Sequence, residues 1–295
     1  MLRYAAIDIG SNAVRLLIAD ITLGNQRYQF KKNTLIRVPL RLGDDAFLNC
    51  EISERKIDDM VKTMTAFKNL MDVYQVTHYI ACATSAMREA QNGKEIVKLI
   101  KRKANINLEI IEGQREASII AANHIEETLD ENRGYLYIDV GGGSTELTVF
   151  INRKMLASKS FNIGTIRILD NQDKPETWEE MKDWVKVHTK NYKNLAAIGT
   201  GGNINKLFRM SDEKDGHPLS FTKLKNLYND LNSYSLKERI SVFKLNADRA
   251  DVIIPASEIY LTLMKWTAIK QIYVPRVGMV DGIINLLMEE NLPKI

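Results

Sequence analysis

Two distant stretches of this chain follow one pattern: residues 4–16 read YAAIDIGSNAVRL and residues 135–147 read YLYIDVGGGSTEL. With Asp8 set against Asp139, five positions are identical: Tyr, Ile, Asp, Gly and Leu. Each copy is an apolar run ending in an aspartate, then a small-residue turn, then a second alternating run. That pattern predicts a strand, a tight turn and a returning strand. The turns, Gly10-Ser11-Asn12 and Gly141-Gly142-Gly143-Ser144, carry little side-chain bulk, so their backbone N–H groups can point at an anion. An aspartate at the strand end can hold a divalent cation beside that anion. Two such copies facing each other are expected to grip a phosphate chain from both sides.

Bulk properties exclude several classes. At 295 residues the chain is long enough for two domains with their own cores. It is 45% hydrophobic and 26% charged, as ordinary soluble proteins are, with no low-complexity stretch. A net charge of +4 is too small to mark a nucleic-acid binder, so no nucleic-acid partner is expected. No segment approaches the roughly 18 consecutive apolar residues of a membrane span, so no membrane partner is expected either. The first strand begins at once, leaving no room for a signal peptide, and Cys50 and Cys82 fit no metal-ligand pattern. A cytoplasmic location is the simplest expectation. Lys94, Lys98, Lys101, Arg102 and Lys103 cluster on a predicted helix, where a solvated face accounts for them.

Along the chain, strands are predicted near 3–9, 14–20 and 26–36, the last rich in Lys and Arg and therefore at an edge. Ser53 opens a capped helical pattern through Ile57, Met60, Val61, Met64, Phe67, Leu70 and Met71. Strand His78–Ala83, a turn over Thr84–Arg88, a helix from Lys94 to Lys103 and strand Leu108–Ile111 follow. Gly113 then breaks the strand, and Arg115 to about Leu129 reads as helix. The second copy opens at Gly134 with three strands through Phe161. After it come a turn at Gly164–Arg167, a helix from Glu176 to about Tyr192, and a strand at Leu195–Ile198. A small-residue turn at Gly199–Asn203 precedes a largely helical remainder, in which Ile253, Ile254, Ile259, Tyr260, Leu263 and Met264 read as core. A strand near Gln271–Val274 and a final helix, Ile283–Glu290, flanked at its start by Gly278 and Gly282, complete the chain. Alternating strands and helices argue an α/β architecture with a mixed or partly parallel sheet.

Paired Asp-Gly-rich hairpins resemble the acetate kinase, sugar kinase, Hsp70 and actin superfamily. Within it, DIGSNAVRLLI, ATSAMREAQN, IIEGQREA, DVGGGSTEL, GTIRIL and IGTGGN, in that order from Ala5 to about Asp281, resemble the exopolyphosphatase / guanosine pentaphosphate phosphohydrolase (Ppx/GppA) family. The resemblance implies two ribonuclease-H-like (actin-like) domains with a cleft between them, over residues 1–122 and 123–280, with a C-terminal helix from about 281 to 295 packing back on the first. It implies release of the terminal phosphate from inorganic polyphosphate, or of the 5′ γ-phosphate from guanosine pentaphosphate, with Mg²⁺ or another divalent cation, and a homodimer. None of His78, His124, His188 and His217 is followed by Asp, which fits the short, two-domain form; such a form is expected to handle short polyphosphates better than long ones.

Phosphoanhydride hydrolysis requires neutralised phosphate oxygens, a water held in line and a stabilised leaving group. Asp8, Asp139 and Glu146 are the candidate metal ligands, since Mg²⁺ takes few carboxylates and keeps several waters. Glu116, placed by the family motif, is the candidate general base, and it equally suits the first turn of a helix. Gly10, Ser11, Asn12, Gly141, Gly142, Gly143, Ser144 and Thr145 are candidate phosphate contacts, with Arg15, Ser85 and Arg88 beside them. Arg15 stands where the second copy has Glu146. Arg41 and Arg167 fit a phosphate contact and a structural role equally. Gly201 and Gly202 match the superfamily turn that meets a nucleotide. The family pattern departs at three places: Arg115 precedes Glu116, Asn203 replaces a threonine, and Val280 replaces an arginine. A kinase of the same superfamily and a non-catalytic nucleotide-sensing scaffold are the alternatives.

Overall fold

The computed structural model describes residues 2–24, 27–125 and 130–293. Its contacts divide the chain into a first unit, running up to Asn123 and resuming at Val277, and a second unit from His124 to Arg276. Residues 277–280 therefore group with the first unit.

In the first unit β1 (Leu2–Ile9), β2 (Val14–Leu23) and β3 (Tyr28–Val38) form an antiparallel meander. Helices α1 (Leu42–Asn49) and α2 (Glu54–Val73) lead to β4 (His78–Ala83). Helices α3 (Ser85–Glu89) and α4 (Gly93–Ala104), strand β5 (Leu108–Ile110) and helix α5 (Gly113–Ala121) follow. The sheet order is β3-β2-β1-β4-β5, with β4 parallel to β1 and β5 parallel to β4. From Tyr4 to Ile9 every residue of β1 is buried, as expected of a central strand covered on both faces. Strand β3 lies at the edge with Lys31, Lys32 and Asn33 exposed, charges and amides that blunt an open edge. The C-terminal helix (Met279–Asn291) packs on β1 and α5 and buries Ile283, Ile284 and Leu287 among Tyr4, Leu17 and Ile119.

Four local features differ from expectation. Residues 85–89 form a helical turn rather than an open one, and 42–49 form a helix with only Leu42, Gly43, Ala46 and Phe47 buried. Ser53 precedes α2, yet its hydroxyl donates to the Asp45 carboxylate at 2.5 Å instead of capping the helix. Helix α5 ends at Ala121, and residues 126–129, expected to continue it, lie outside the described residues. On α4 the clustered cations are exposed while Ile96 and Ile100 are buried.

The second unit repeats the plan. Strands β6 (Gly134–Val140), β7 (Thr145–Ile151) and β8 (Lys154–Phe161) form its meander. Helices α6 (Thr165–Leu169) and α7 (Pro175–Thr189) lead to β9 (Leu195–Thr200) and α8 (Gly202–Met210). Strand β10 (Leu219–Ser220), helices α9 (Phe221–Asn232), α10 (Leu236–Ser241), α11 (Ala247–Ala250) and α12 (Ile253–Trp266), and strand β11 (Gln271–Tyr273) complete it. The sheet order is β10-β11-β9-β6-β7-β8, with β9 parallel to β6 and β11 parallel to β9. Without β10, this is the first unit's order again. The segment Gly164–Arg167 is the start of a helix rather than a turn. Helix α12 is apolar nearly all round because α6, α7, α8 and α9 surround it; Ile253, Ile259, Tyr260, Leu263 and Met264 are completely buried. Each such aliphatic side chain contributes about 1.5–3 kcal/mol relative to exposure.

Among the described residues no helix is long and apolar enough to cross a membrane. Cys50 is exposed and Cys82 buried, both as free thiols.

Candidate functional site

Parallel strands leave their carboxyl ends at one edge of the sheet, where α/β proteins collect ligand-binding loops. In the first unit these ends are Asp8-Ile9 of β1, Ala83-Thr84 of β4 and Ile110-Ile111 of β5. The loop after β1 is closed by the Gly10 N–H donating to Ala13 O at 3.2 Å. Its carbonyls are tied to the start of α1: Ser11 O accepts from Gly43 N–H and Asn12 O from Arg41 N–H, both at 2.9 Å. In a planar trans peptide the carbonyl and the following N–H point in opposite directions. The N–H groups of Asn12 and Ala13 therefore face away from α1. Ser11 and Ser85 join this loop to α3 through a 2.8 Å hydroxyl–hydroxyl hydrogen bond, both residues buried.

Asp8 and Arg15 sit opposite each other on β1 and β2, and the guanidinium donates to the Asp8 carboxylate at 2.7 Å. Asp8, expected as a metal ligand, thus has a cationic side chain already in contact with it. Arg88 donates to Ile111 O at 2.7 Å, so at least one of its donors braces the junction that leads into α5 rather than waiting for substrate. Glu116 lies in the first turn of α5 with only 9% of its surface exposed. Cys82, opposite Asp8 on β4, is a thiol whose pKa burial pushes up to about 12, so it stays protonated.

The second unit builds the equivalent edge from Asp139-Val140 of β6 and Thr200 of β9. The Gly141 N–H donates to Ser144 O at 2.9 Å, closing the turn. Gly141 O accepts from Thr165 N–H at 3.1 Å, Gly142 O from Ile166 N–H at 2.8 Å, and Gly143 O from Arg167 Nε at 2.6 Å. All three carbonyls turn to α6, so the N–H groups of Gly142, Gly143 and Ser144 face the other way. Gly164 permits this: a Cβ there would lie 2.4 Å from Gly142 O, closer than any real contact. Thr145 does not offer its hydroxyl to a ligand, because its one O–H donates to Ile163 O at 2.7 Å inside the protein.

Asp139 and Glu146 are cross-strand partners on β6 and β7, the position where the first unit has Asp8 and Arg15. Like charges directly opposite each other are unfavourable unless a cation joins them. Glu146 is buried and accepts from Ser160 Oγ at 2.7 Å, which fixes its orientation. Among the described residues no group of three or more His, Cys, Asp or Glu is placed around a common centre. Mg²⁺ needs fewer, one or two carboxylates with water and phosphate oxygens completing the shell. The Asp139–Glu146 pair fits that requirement, and Asp8 with its arginine fits it less well.

Gly201 adopts φ +106° at the start of α8, and a Cβ there would come within 3.1 Å of Asp139 Oδ1. Tyr260, read from the sequence only as core, reaches this same edge: its hydroxyl donates to Thr200 O. Burial first, then the charge of Asp139, holds its pKa well above the usual phenol range, so it remains a donor. A polar tip on a residue of apolar periodicity carries no sequence signal of this role.

The profile of the Ppx/GppA phosphatase family matches residues 34–291. The chain is 28% identical over 265 residues to a protein of Fusobacterium nucleatum named bifunctional 3-dehydroquinate synthase/phosphatase, covering 84% of this chain and 39% of that one. It is 24% identical over 174 residues to exopolyphosphatase 1 of Mycobacterium bovis, covering 57% and 48%. The chain thus spans less than half the length of these two relatives. A crystal structure of an exopolyphosphatase from Cytophaga hutchinsonii superposes with a TM-score of 0.83 at 25% identity, over 98% of both chains. The two-sheet α/β architecture is that of these actin-like proteins.

Proposed function

The chain belongs to the Ppx/GppA phosphatase family, and from that premise we propose that it is an exo-acting phosphoanhydride hydrolase. Its substrate is inorganic polyphosphate, the 5′ γ-phosphate of guanosine pentaphosphate, or both. The observation that carries this reading is the pairing, at one sheet edge, of the opposed carboxylates Asp139 and Glu146 with a loop whose three carbonyls are turned back onto α6. Such an edge offers N–H donors for phosphate oxygens and a place for the cation that accompanies them.

In this reading Gly142, Gly143 and Ser144 bind and orient a phosphate group. Asn12 and Ala13 supply further N–H donors in the first unit, and Arg15, steadied by Asp8, presents its planar fork to phosphate oxygens. Asp139 and Glu146 would hold Mg²⁺, which neutralises phosphate charge when bound. Glu116 takes the proton of the attacking water. The family resemblance extends the proposal to a homodimer working in the cytoplasm.

The test is phosphate release from polyphosphate, guanosine pentaphosphate and ATP, with Mg²⁺ and with a chelator. Release from either of the first two, dependent on the cation, is expected. Glu116→Gln is expected to lower turnover by about 10²- to 10⁴-fold while leaving substrate binding in place. A wild-type chain that releases phosphate from neither substrate, or that transfers it from ATP to an acceptor, overturns the reading.

A further inference from the structure

We infer that Arg167 is a positioning residue that strengthens the Ser144 N–H as a phosphate donor, acting through the Gly143 carbonyl. The inference rests on the proposed hydrolase reading for its consequence in turnover, but its structural content stands on the loop alone.

Arg167 is buried, with 7% of its surface exposed, and arginine is seldom buried unless its charge is used. One such use is a 2.6 Å hydrogen bond from Nε to the carbonyl of Gly143, 24 residues earlier. The two preceding carbonyls of the same loop, Gly141 and Gly142, are held by the N–H groups of Thr165 and Ile166. The first N–H groups of a helix have no partner within the helix and attract anions. Here glycine carbonyls occupy the first three of them, those of Thr165, Ile166 and Arg167, so α6 is no anion site itself. A hydrogen bond that draws density toward the carbonyl oxygen polarises the whole peptide and makes its N–H a better donor. A guanidinium does this more strongly than a neutral N–H. The peptide so treated joins Gly143 to Ser144, the last of the three donors. Arg167 thus passes part of its positive charge to the loop across one peptide unit. Gly164 completes the device, because only a residue without Cβ lets the Gly142 peptide rest against α6 at 2.4 Å from where that carbon would be.

The experiment compares wild type with Arg167→Lys and Arg167→Ala, reading kcat and KM per folded molecule and the backbone amide proton resonance of Ser144. Removing a preorganised donor costs about 10²- to 10³-fold in turnover. Arg167→Ala is therefore expected to lower kcat toward that range, with KM changed by less than about threefold, and Arg167→Lys by roughly tenfold, since ammonium lacks the planar fork. Millimolar guanidinium chloride is expected to restore Arg167→Ala in a saturable way, whereas ammonium chloride does not. The Ser144 amide proton is expected to move upfield in both arginine variants.

A variant of lower stability whose folded fraction keeps wild-type kcat and an unmoved Ser144 resonance reduces Arg167 to a structural residue and overturns the inference. If Arg167→Ala fails to fold, Arg167→Lys decides the same question. A wild-type chain without hydrolase activity defeats the proposed function alone, because the amide resonance still decides the role of Arg167.

Discussion

The hairpin of β1 and β2 and the hairpin of β6 and β7 share one register, yet their electrostatics are opposite. Asp8 faces Arg15 in the first, and Asp139 faces Glu146 in the second. The first hairpin supplies its own counter-charge, the Arg15 guanidinium, in an ion pair at 2.7 Å. The second sets two acids side by side and suits a cation taken from solution. Their loops differ in the same sense: backbone N–H groups of α1 hold the first loop's carbonyls, while a guanidinium joins in holding the second's. Further along, Arg3, Asp20 and Asn33 form a polar ladder at the position where the second copy has Gly134 and Ile151. Duplication preserved what apolar alternation and small-residue turns dictate, and left the charged rungs free to diverge.

The strongest way to break this comparison is Glu146→Gln, which keeps shape and removes one of the opposed charges. Turnover is expected to fall on the order of 100-fold, and the Mg²⁺ concentration at half-maximal rate to rise. An unchanged Mg²⁺ titration of initial rates would remove the cation from the second hairpin. Arg15→Gln should have a smaller effect. It leaves the buried Asp8 carboxylate without its guanidinium, a loss of about 1–3 kcal/mol in denaturant unfolding, with turnover lowered by roughly tenfold. Equal Mg²⁺ dependence before and after this change would sharpen the division of labour; a shifted one would blur it.

The smallest effect belongs to the ladder. The Asn33 amide first, then the Arg3 guanidinium, holds the Asp20 carboxyl below the usual carboxylate range. Its folded pKa lies below its unfolded one, so its stabilisation is complete above the ordinary value, near 4, and is lost as pH falls through the lower folded value. Asp20→Asn should therefore slightly lower the melting temperature at pH 7 and flatten the loss of stability on the acid side. Identical acid limbs in variant and wild type would show that the ladder carries no such linkage.

Much of the architecture was legible because it depends on short-range pattern. Strand β4 falls on His78–Ala83 as read, and both hairpins fall on their repeats. The paired placement of Asp139 and Glu146 follows from a hairpin turn of fixed length, which sets cross-strand partners. Less legible were helices held by long-range bonds. Helix α1 is anchored by Arg41 and Gly43 N–H groups bonding to the first loop, and α6 by bonds to three glycine carbonyls. Thr145 illustrates the same limit at the site: its sequence context suggests a phosphate contact, but Ile163 O, 18 residues away, takes its proton. Arg88 likewise meets a carbonyl 23 residues distant.

Sequence alone determined the duplicated strand–turn–strand units, the two carboxylates of the second repeat and the reversed charge in the first, since neighbouring residues on a hairpin have nowhere else to go. Only the tertiary structure decided which donors remain for a ligand. That choice depends on which carbonyl, hydroxyl or guanidinium finds a partner from a distant segment, and each proton can be given once.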